Sequence, residues 1–598
     1  MPKVMSGNEA VAYGAYLAGV RVASGYPGTP STEILENLVR YPGIATEWAT
    51  NEKVGFDVAV GAAYAGARAL VTMKHVGLNV AAESLFYSSY TGLTAGLVVV
   101  TADDPGMFSS QNEQDNRRYG QFAKVPVVEP SDSEEARRFT QEAFAISEQF
   151  DVPVLLRTTT RIAHSSSAVE TVEGHPPRGR RDAPPSRRET PAWRSGDHAF
   201  PRDQQKYVMI PAYARMRHPV VEERLTRLAA YAETSGLNQV IPGDRELGIV
   251  TCGVAYQYAR EVFPTASFLK LGLVYPLPAQ LIRTFAAGVK RLIIVEELDP
   301  FLEEQIRLLG VEAEGKKFFS LTDEYTPDRL RNWAAQAGLA PVPEFPPVPG
   351  AALPGRPPML CPGCGHRGVF YVLHKLKPVV MGDIGCYTLG AAPPLYAIHT
   401  CGCMGAGIGV AQGAERAGVK DKVVAVIGDS TFYHSGMAPL VNVLWNNSPV
   451  TTIILDNLVT AMTGHQVNPG SGATLQGEGL GMDLERMLRR MGFSLVDTVD
   501  PLDYETTLRV IKRHLETDAP TVVVARRPCA LQTRFREAPY LIDPVACTSC
   551  GTCLKLGCVA VSKYGGTMSI NQELCVGCGL CAAVCPQKAV KSSTGVAN

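Results

Sequence analysis

Residues 423–466 constrain this chain more than any other stretch; they read VVAVIGDSTFYHSGMAPLVNVLWNNSPVTTIILDNLVTAMTGHQ. Residues 423–427 are a short β-branched apolar run, which predicts a buried strand. The run ends in Gly428-Asp429-Ser430, a tight turn with a carboxylate at its tip. Met437, Leu440, Val441 and Leu444 then recur at helical spacing, so a helix follows. A second run, residues 450–455, predicts another strand and leads into Asp456-Asn457. In such a parallel unit both strand ends share one sheet edge, the edge where ligands bind. Asp429 and Asn457 can there meet on one Mg²⁺, a hard ion that takes oxygen ligands and often carries a diphosphate. An ordinary crossover with a solvated aspartate gives the same local pattern.

The 598 residues are too many for one core. Lys plus Arg number 57 against 58 Asp plus Glu, so no basic field points to nucleic acid. No apolar run reaches the roughly 18 residues that span a bilayer, and MPKVMSGNEAV lacks an apolar signal core. A cytoplasmic protein is expected, whose 15 cysteines are thiols or metal ligands rather than disulfides.

Along the chain, residues 1–165 read as one α/β domain. Gly25-Tyr26-Pro27-Gly28-Thr29-Pro30-Ser31 follows a candidate strand, and Thr29 with Pro30 suits an N-cap and first helical position. Backbone N–H groups and a hydroxyl there can bind an anion; a plain helix start is the alternative. Glu52 stands at the mouth of a small-residue helix, where a solvated first-turn glutamate is also common. Lys74-His75-Val76-Gly77-Leu78-Asn79 comes next. A strand at residues 97–101 opens onto Asp103-Asp104-Pro105-Gly106 and a polar run, 109–117, which is a solvent loop or an active-site loop. Residues 166–245 read as a Pro-, Arg- and Ser-rich linker and a helical connection, 246–340 as a further α/β unit, and 341–358 as a Pro-rich linker. Cys252 is most simply a buried thiol. Residues 359–535 carry the opening motif together with Cys361, Cys364, Cys386 and Cys529. The end of the chain, 540–592, is the most specific signal. Cys575, Cys578, Cys581 and Cys585-Pro586 match the bacterial ferredoxin run for a [4Fe–4S] cluster; Cys547, Cys550, Cys553 and Cys558 form a second run, one residue longer and without the proline. Little apolar sequence surrounds these cysteines, so a separate, metal-built module is expected.

Gly428-Asp429-Ser430 with Asn457 resembles the thiamine-diphosphate signature, with Ser430 in place of the commoner glycine. The phrases GYPGTPSTE, NEKVG and DDPGMFSSQNEQDNR resemble the large-subunit family of the indolepyruvate:ferredoxin oxidoreductases, among the thiamine-diphosphate-dependent 2-oxoacid:ferredoxin oxidoreductases. That resemblance covers nearly the whole chain. It implies two thiamine-diphosphate-binding α/β domains (1–165 and 359–535), a transketolase C-terminal-like α/β domain (246–340) and a two-[4Fe–4S] ferredoxin-like domain (540–592). It implies Mg²⁺ on Asp429, Asn457 and the Val459 carbonyl, and cofactor contacts from Thr29, Gly428 and Ser430. Glu52 would hydrogen-bond N1′ of the aminopyrimidine, with Glu47 as its competitor. The ferredoxin crossover would give one cluster to Cys547, Cys550, Cys553 and Cys585 and the other to Cys558, Cys575, Cys578 and Cys581. Cys361, Cys364, Cys386 and Cys529 match the ligands of a proximal [4Fe–4S] cluster, against the alternatives of buried thiols or a zinc pair. Arg117 would clamp the carboxylate of the 2-oxo acid, with His75 a second substrate candidate. The implied activity is oxidative decarboxylation of aryl 2-oxo acids to acyl-coenzyme A with ferredoxin as acceptor, in a heteromer with a small (beta) subunit and with the cofactor held between the two thiamine-type domains. A preference for pyruvate or another 2-oxo acid, a non-oxidative decarboxylase and a pure electron-transfer module are the other readings.

Overall fold

The computed structural model describes residues 2–172, 200–341, 355 and 357–595; most of the two Pro-rich connections, 173–199 and 342–354 with 356, lies outside the described residues. The chain divides into two units, residues 1–349 with 475–477, and 350–474 with 478–598.

The first unit is built on parallel strands β1 (Val22–Gly25), β2 (Ala45–Trp48), β3 (Ala69–Lys74), β4 (Leu97–Asp103), β5 (Val127–Val128) and β6 (Val154–Thr159). Their spatial order is β5-β6-β4-β3-β1-β2. β3 and β4 are buried at every residue, as strands covered on both faces must be. Helices α1 (Gly7–Leu17), α2 (Thr32–Leu38), α3 (Glu52–Tyr64), α4 (His75–Thr91), α5 (Arg117–Ala123) and α6 (Ser133–Phe150) connect and cover them. β1 leads through α2 to β2 on one side. β3 leads through α4 to β4 on the other. Two neighbouring strands that send the chain opposite ways open a crevice beyond their carboxyl ends.

A second, smaller sheet follows in the same unit: β7 (Gln239–Ile241), β8 (Asp244–Cys252), β9 (Ala266–Leu271) and, after β10 (Leu273–Tyr275), β11 (Arg291–Val295), in the order β11-β8-β9-β7. β10 leaves it and pairs antiparallel with β5 at the edge of the large sheet. Val250, Leu269 and Phe301 share a core with Phe139, Phe144 and Leu155, so the two stretches read as separate α/β units are joined by buried apolar surface. Helix α7 (Pro211–Ala232) packs on α4 and ties to it through buried Arg224, whose Nη2 donates to Ser89 O at 2.6 Å.

The second unit holds β12 (Val379–Gly382), β13 (Thr400–Cys401), β14 (Val423–Gly428), β15 (Thr451–Asp456), β16 (Val496–Val499) and β17 (Thr521–Arg526), all parallel, in the order β13-β12-β14-β15-β17-β16. Here too the chain reverses between neighbours: β12 leads to β13 and β14 leads to β15. The tight turn expected at Gly428–Ser430 is instead a helix start, Asp429–Thr431, which runs through a wide π turn, Phe432–Gly436, into the main helix Met437–Trp445. The wide turn rotates that helix. Leu440 and Val443 face the core while Met437 and Val441, which share the expected periodicity, are 37% and 49% exposed.

The chain end is not a separate module. Leu556, Val561, Leu580, Val584 and Val590 form one core with Leu360, Val369, Phe370 and Leu373 of the second unit. Buried Arg367 fastens the two, donating from Nη1 to Leu556 O at 2.7 Å and from Nη2 to Leu360 O at 2.5 Å. The sparse apolar residues of 540–592 thus pack on a neighbour rather than forming a core of their own. No described helix is long and apolar enough to cross a membrane.

Candidate active site

The crevice edge of the first unit gathers four loops. Thr29 is half-buried and does not cap a helix: the Thr29–Pro30 peptide is cis and α2 begins only at Thr32. The Gly28 N–H is already taken by Thr32 Oγ1 at 3.0 Å, so part of the expected anion cradle satisfies itself. Glu52 opens α3 and is buried, 6% exposed, whereas Glu47 lies on edge strand β2, exposed, accepting from Ser24 Oγ at 3.2 Å. A Cβ added at Gly77 would meet Glu52 Cγ and Oε1 at 2.7 Å. Glycine at the start of α4 is therefore what lets the Glu52 carboxyl lie across that helix. His75 is fully buried. Its Nε2 meets Asn112 O at 3.2 Å, and burial, then the Lys74 charge, push its pKa down.

Arg117 corrects the sequence expectation. Its side chain is fully buried, pairing with Asp115 Oδ2 at 2.5 Å and Glu296 Oε2 at 2.8 Å and donating to Glu297 O at 3.0 Å. These bonds engage its guanidinium within the protein. The neighbouring Arg157 is engaged in the same way by Asp103 at 2.9 Å and Glu129 at 2.5 Å. This ion network, with Cys252 at 3.5 Å from Arg117, joins the two sheets of the first unit and makes Arg117 a structural residue. Sequence could not show it, because Glu296 lies 179 residues away.

In the second unit Asp429 ends β14, buried. Asn468 Nδ2 donates to its Oδ2 at 2.9 Å, and the Ser430 and Leu458 N–H groups add to this. Burial, then the nearby Asp456 charge, push its carboxyl up to about 7. Asp456 has a cation, Arg526 Nε at 2.7 Å, yet its Oδ1 has no partner; among the described residues no lysine or arginine pairs with Asp429. A buried carboxylate without a counter-charge is costly unless a cation joins it. The half-buried Asn457 lies on the same loop, its Oδ1 accepting from the Val459 N–H at 3.2 Å, and Leu458 between them takes φ +63° to make the turn. Ser430 Oγ meets Thr460 Oγ1 at 2.6 Å. A Cβ on Gly428 would meet the Tyr387 ring at 2.6 Å, so Gly428 is needed for close packing. These oxygens fit a hard divalent cation. Asp383, at the end of β12, is engaged within the fold. It accepts from Gly405 N at 2.9 Å and Gly407 N at 3.0 Å and so holds the glycine-rich start of the next helix, Ala406–Arg416.

The cysteines fall into three groups of nearby thiols. Cys361, Cys364, Cys386 and Cys529 lie close enough together that burial, then neighbouring thiols of the group, raise the pKa of the first three, and burial pushes Cys364 up to about 12. Cys547, Cys550, Cys553 and Cys585 line one cavity. Among neighbouring thiols, Cys581 is most affected by Cys578, Cys558 and Cys575, and least by Cys553 of the adjoining group. Each group offers four thiols, the number a [4Fe–4S] cluster takes. The groups also adjoin: the Cys529 N–H donates to Asn457 O at 3.2 Å, and a Cβ on Gly363 would meet Val576 Cγ2 at 2.8 Å.

Two site residues escaped the sequence reading. Asn468 sits in an ordinary Asx turn, its Oδ1 accepting from Gly470 N at 2.9 Å, and carries no distinguishing sign. Lys74 does carry one: it is a charge ending a strand that is otherwise apolar or small, ALVTMK.

Known proteins agree with this layout. Residues 13–231 match the family model for pyruvate flavodoxin/ferredoxin oxidoreductase, thiamine diphosphate-binding. Residues 383–525 match the thiamine pyrophosphate enzyme C-terminal TPP-binding domain, and 568–591 the 4Fe-4S binding domain. The chain is 40% identical to the indolepyruvate oxidoreductase subunit IorA of Archaeoglobus fulgidus, over 98% of this chain and 96% of that one. It is 39% identical to the same subunit of Methanothermobacter thermautotrophicus and 38% to that of Pyrococcus horikoshii, each over 98% of this chain and 96% of the relative. With thiamine-diphosphate and [4Fe–4S] domains in one multidomain α/β chain, and near-complete coverage at this identity, the chain belongs to the indolepyruvate oxidoreductase large-subunit family of the thiamine-diphosphate-dependent 2-oxoacid:ferredoxin oxidoreductases.

Proposed function

We propose that this chain is the large subunit of an enzyme that oxidatively decarboxylates aryl 2-oxo acids, indolepyruvate and phenylpyruvate, to aryl-acetyl-coenzyme A with ferredoxin as electron acceptor. The observation that carries it is the join between Asn457 and Cys529, which sets a cysteine group directly against the Asp429 edge, where electrons would be produced. Bound thiamine diphosphate supplies the nucleophilic carbon and the electron sink for decarboxylation. Asp429, Asn457 and the Val459 carbonyl would hold Mg²⁺ and, with Gly428 and Ser430, the diphosphate. Glu52, buried and fixed by Gly77, holds a proton at the aminopyrimidine. Cys361, Cys364, Cys386 and Cys529 hold a proximal [4Fe–4S] cluster. Cys547, Cys550, Cys553 and Cys585 hold a second, and Cys558, Cys575, Cys578 and Cys581 a third. The contact of Gly363 with Val576, which lies between Cys575 and Cys578, is the route outward. The reaction releases two electrons, carried away singly to ferredoxin, while coenzyme A takes the acyl group. A small (beta) subunit completes the enzyme, and cysteines kept reduced as cluster ligands suit the reducing cytoplasm.

The test is turnover of the anaerobically purified complex on indolepyruvate, phenylpyruvate, pyruvate and 2-oxoglutarate, followed by reduction of a low-potential dye. Aryl-selective reduction that requires coenzyme A is expected. Release of CO₂ without dye reduction would mean a non-oxidative decarboxylase. Iron should come to about twelve per chain with the proximal cluster and about eight without it.

A further inference from the structure

With Arg117 consumed by its own network, the crevice of the first unit lacks the guanidinium expected to meet the substrate. Among the described residues one cation remains there. Lys74 is the last residue of β3, at the point where β1 and β3 send the chain opposite ways, and its side chain is nearly buried. Its Nζ donates to Ser109 O at 2.5 Å and meets Ser109 Oγ at 3.2 Å, both neutral groups. Three other cations of the first unit are paired: Arg161 with Glu324 at 2.6 Å, Arg118 with Glu304 at 2.6 Å and Lys53 with Asp57 at 2.6 Å. Asp104 acts on the amine through its charge and through Ser109 Oγ, which meets both, but its oxygens accept from Ser109 N at 2.8 Å, Ser110 Oγ at 2.5 Å and Thr160 Oγ1 at 2.8 Å rather than from Lys74 Nζ. Lys74 thus forms no carboxylate pair within 4 Å among the described residues, an unfavourable state for a buried ammonium.

Its neighbours are the crevice itself. A Cβ on Gly28 would meet Lys74 Cβ at 2.9 Å, so the Gly28-Thr29 loop rests on this side chain. Ser109 Oγ, which holds the amine, lies 3.4 Å from Thr29 O. Gly77, three residues on, touches Glu52. A buried cation with no carboxylate in direct contact, at a strand-reversal crevice, marks a site for a small anion.

We infer that the Lys74 ammonium is the partner of the substrate's carboxylate and makes this edge select 2-oxo acids over uncharged carbonyl compounds. The inference rests on the proposed 2-oxo acid chemistry. An ammonium held by one loop serine can meet a carboxylate as a third partner, and the buried setting strengthens the pair.

The test compares the wild-type complex with Lys74→Met and Lys74→Arg. In Lys74→Met the KM for indolepyruvate should rise roughly 10–100-fold, more than kcat falls, and Lys74→Arg should recover part of the loss. Indolepyruvate methyl ester, which lacks the charge and cannot release CO₂, serves as an inhibitor and should bind wild type and Lys74→Met equally. If affinity for acid and ester suffers alike, Lys74 only braces the Ser109 loop and the inference fails. A KM for the acid within threefold of wild type also overturns it. Calorimetric titration of phenylacetate into the holo complex separates this from the function itself: binding that weakens in Lys74→Met supports the inference even where no 2-oxo acid is turned over, and binding indifferent to Lys74 removes it.

Discussion

The two parallel sheets of this chain end in crevices of the same design and opposite charge. In the first unit the reversal between β1 and β3 carries Lys74, with Glu52 across the start of α4. In the second the reversal between β12 and β14 carries Asp383 and Asp429, with Asp456 one strand further on. A third region, the ion network around Arg117 and Arg157, shows what a finished arrangement looks like, with both arginines paired to carboxylates. Burying a charge is costly unless it is paired, so a charge matched inside the protein reads as structure and one left unmatched reads as a ligand site. By that measure Asp429 and Lys74 wait for partners, and Arg117 does not.

The largest effect should come from the Glu52 edge. Glu52→Gln should leave thiamine diphosphate bound yet slow hydrogen–deuterium exchange at its C2 by about 10²–10⁴-fold, the usual worth of a positioned acid–base group. Unaltered exchange would move the role to the exposed Glu47. Next, Arg117→Met should destabilise the first unit by about 3–5 kcal/mol, because it strands Asp115 and Glu296 as buried carboxylates. Urea unfolding of the complex reads this. A variant as stable as wild type but with a raised KM would restore Arg117 as the substrate clamp and erase the contrast with Lys74. A smaller loss, roughly 10–100-fold in affinity for Mg²⁺ and the diphosphate, is expected for Asn468→Ala, which frees the Asp429 carboxylate it orients. Cofactor binding by that variant at wild-type affinity would show that Asp429 needs no such support.

Much of this was legible in the sequence, for physical reasons that also set the limit. β14 and β15 announce themselves as β-branched runs, and the ferredoxin cysteines fix their own spacing, because both signals are local. The exposure of Met437 and Val441 was not legible, since one π turn rotates a helix without altering its apolar period. The shared core of 540–592 with α8 (His366–Leu376) was hidden by distance along the chain: Arg367 and Leu556 are 189 residues apart. The same distance effect turned Arg117 inward and left His75 the more conspicuous neighbour of Lys74. Glu52 was separated from Glu47 only by burial, which one sequence does not display.

The smallest expected effect is a pH dependence, and it tests the charge contrast directly. Burial pulls Lys74 down to about 8, opposed by the Asp104 carboxylate; the groups facing it are Asp104 from the loop after β4, the neutral His75 at the start of α4 and the Ser109 carbonyl and hydroxyl. Only the ammonium attracts a carboxylate. For wild type, kcat/KM on indolepyruvate, which reports the free enzyme, should therefore hold steady below about pH 8 and fall toward tenfold per unit above it. The direction follows from the sign of the charge: a lowered lysine pKa means the attractive form is lost as pH rises, earlier than for a solvated lysine at about 10.4. Lys74→Arg keeps its charge throughout this range, so its profile should stay flat where wild type declines. The inhibition constant of the uncharged methyl ester should show no break near pH 8 in either protein. A decline of equal midpoint in wild type, in Lys74→Arg and with the ester would assign the titration to a group other than Lys74, and the crevice of the first unit would then owe its selectivity to something other than a single buried amine.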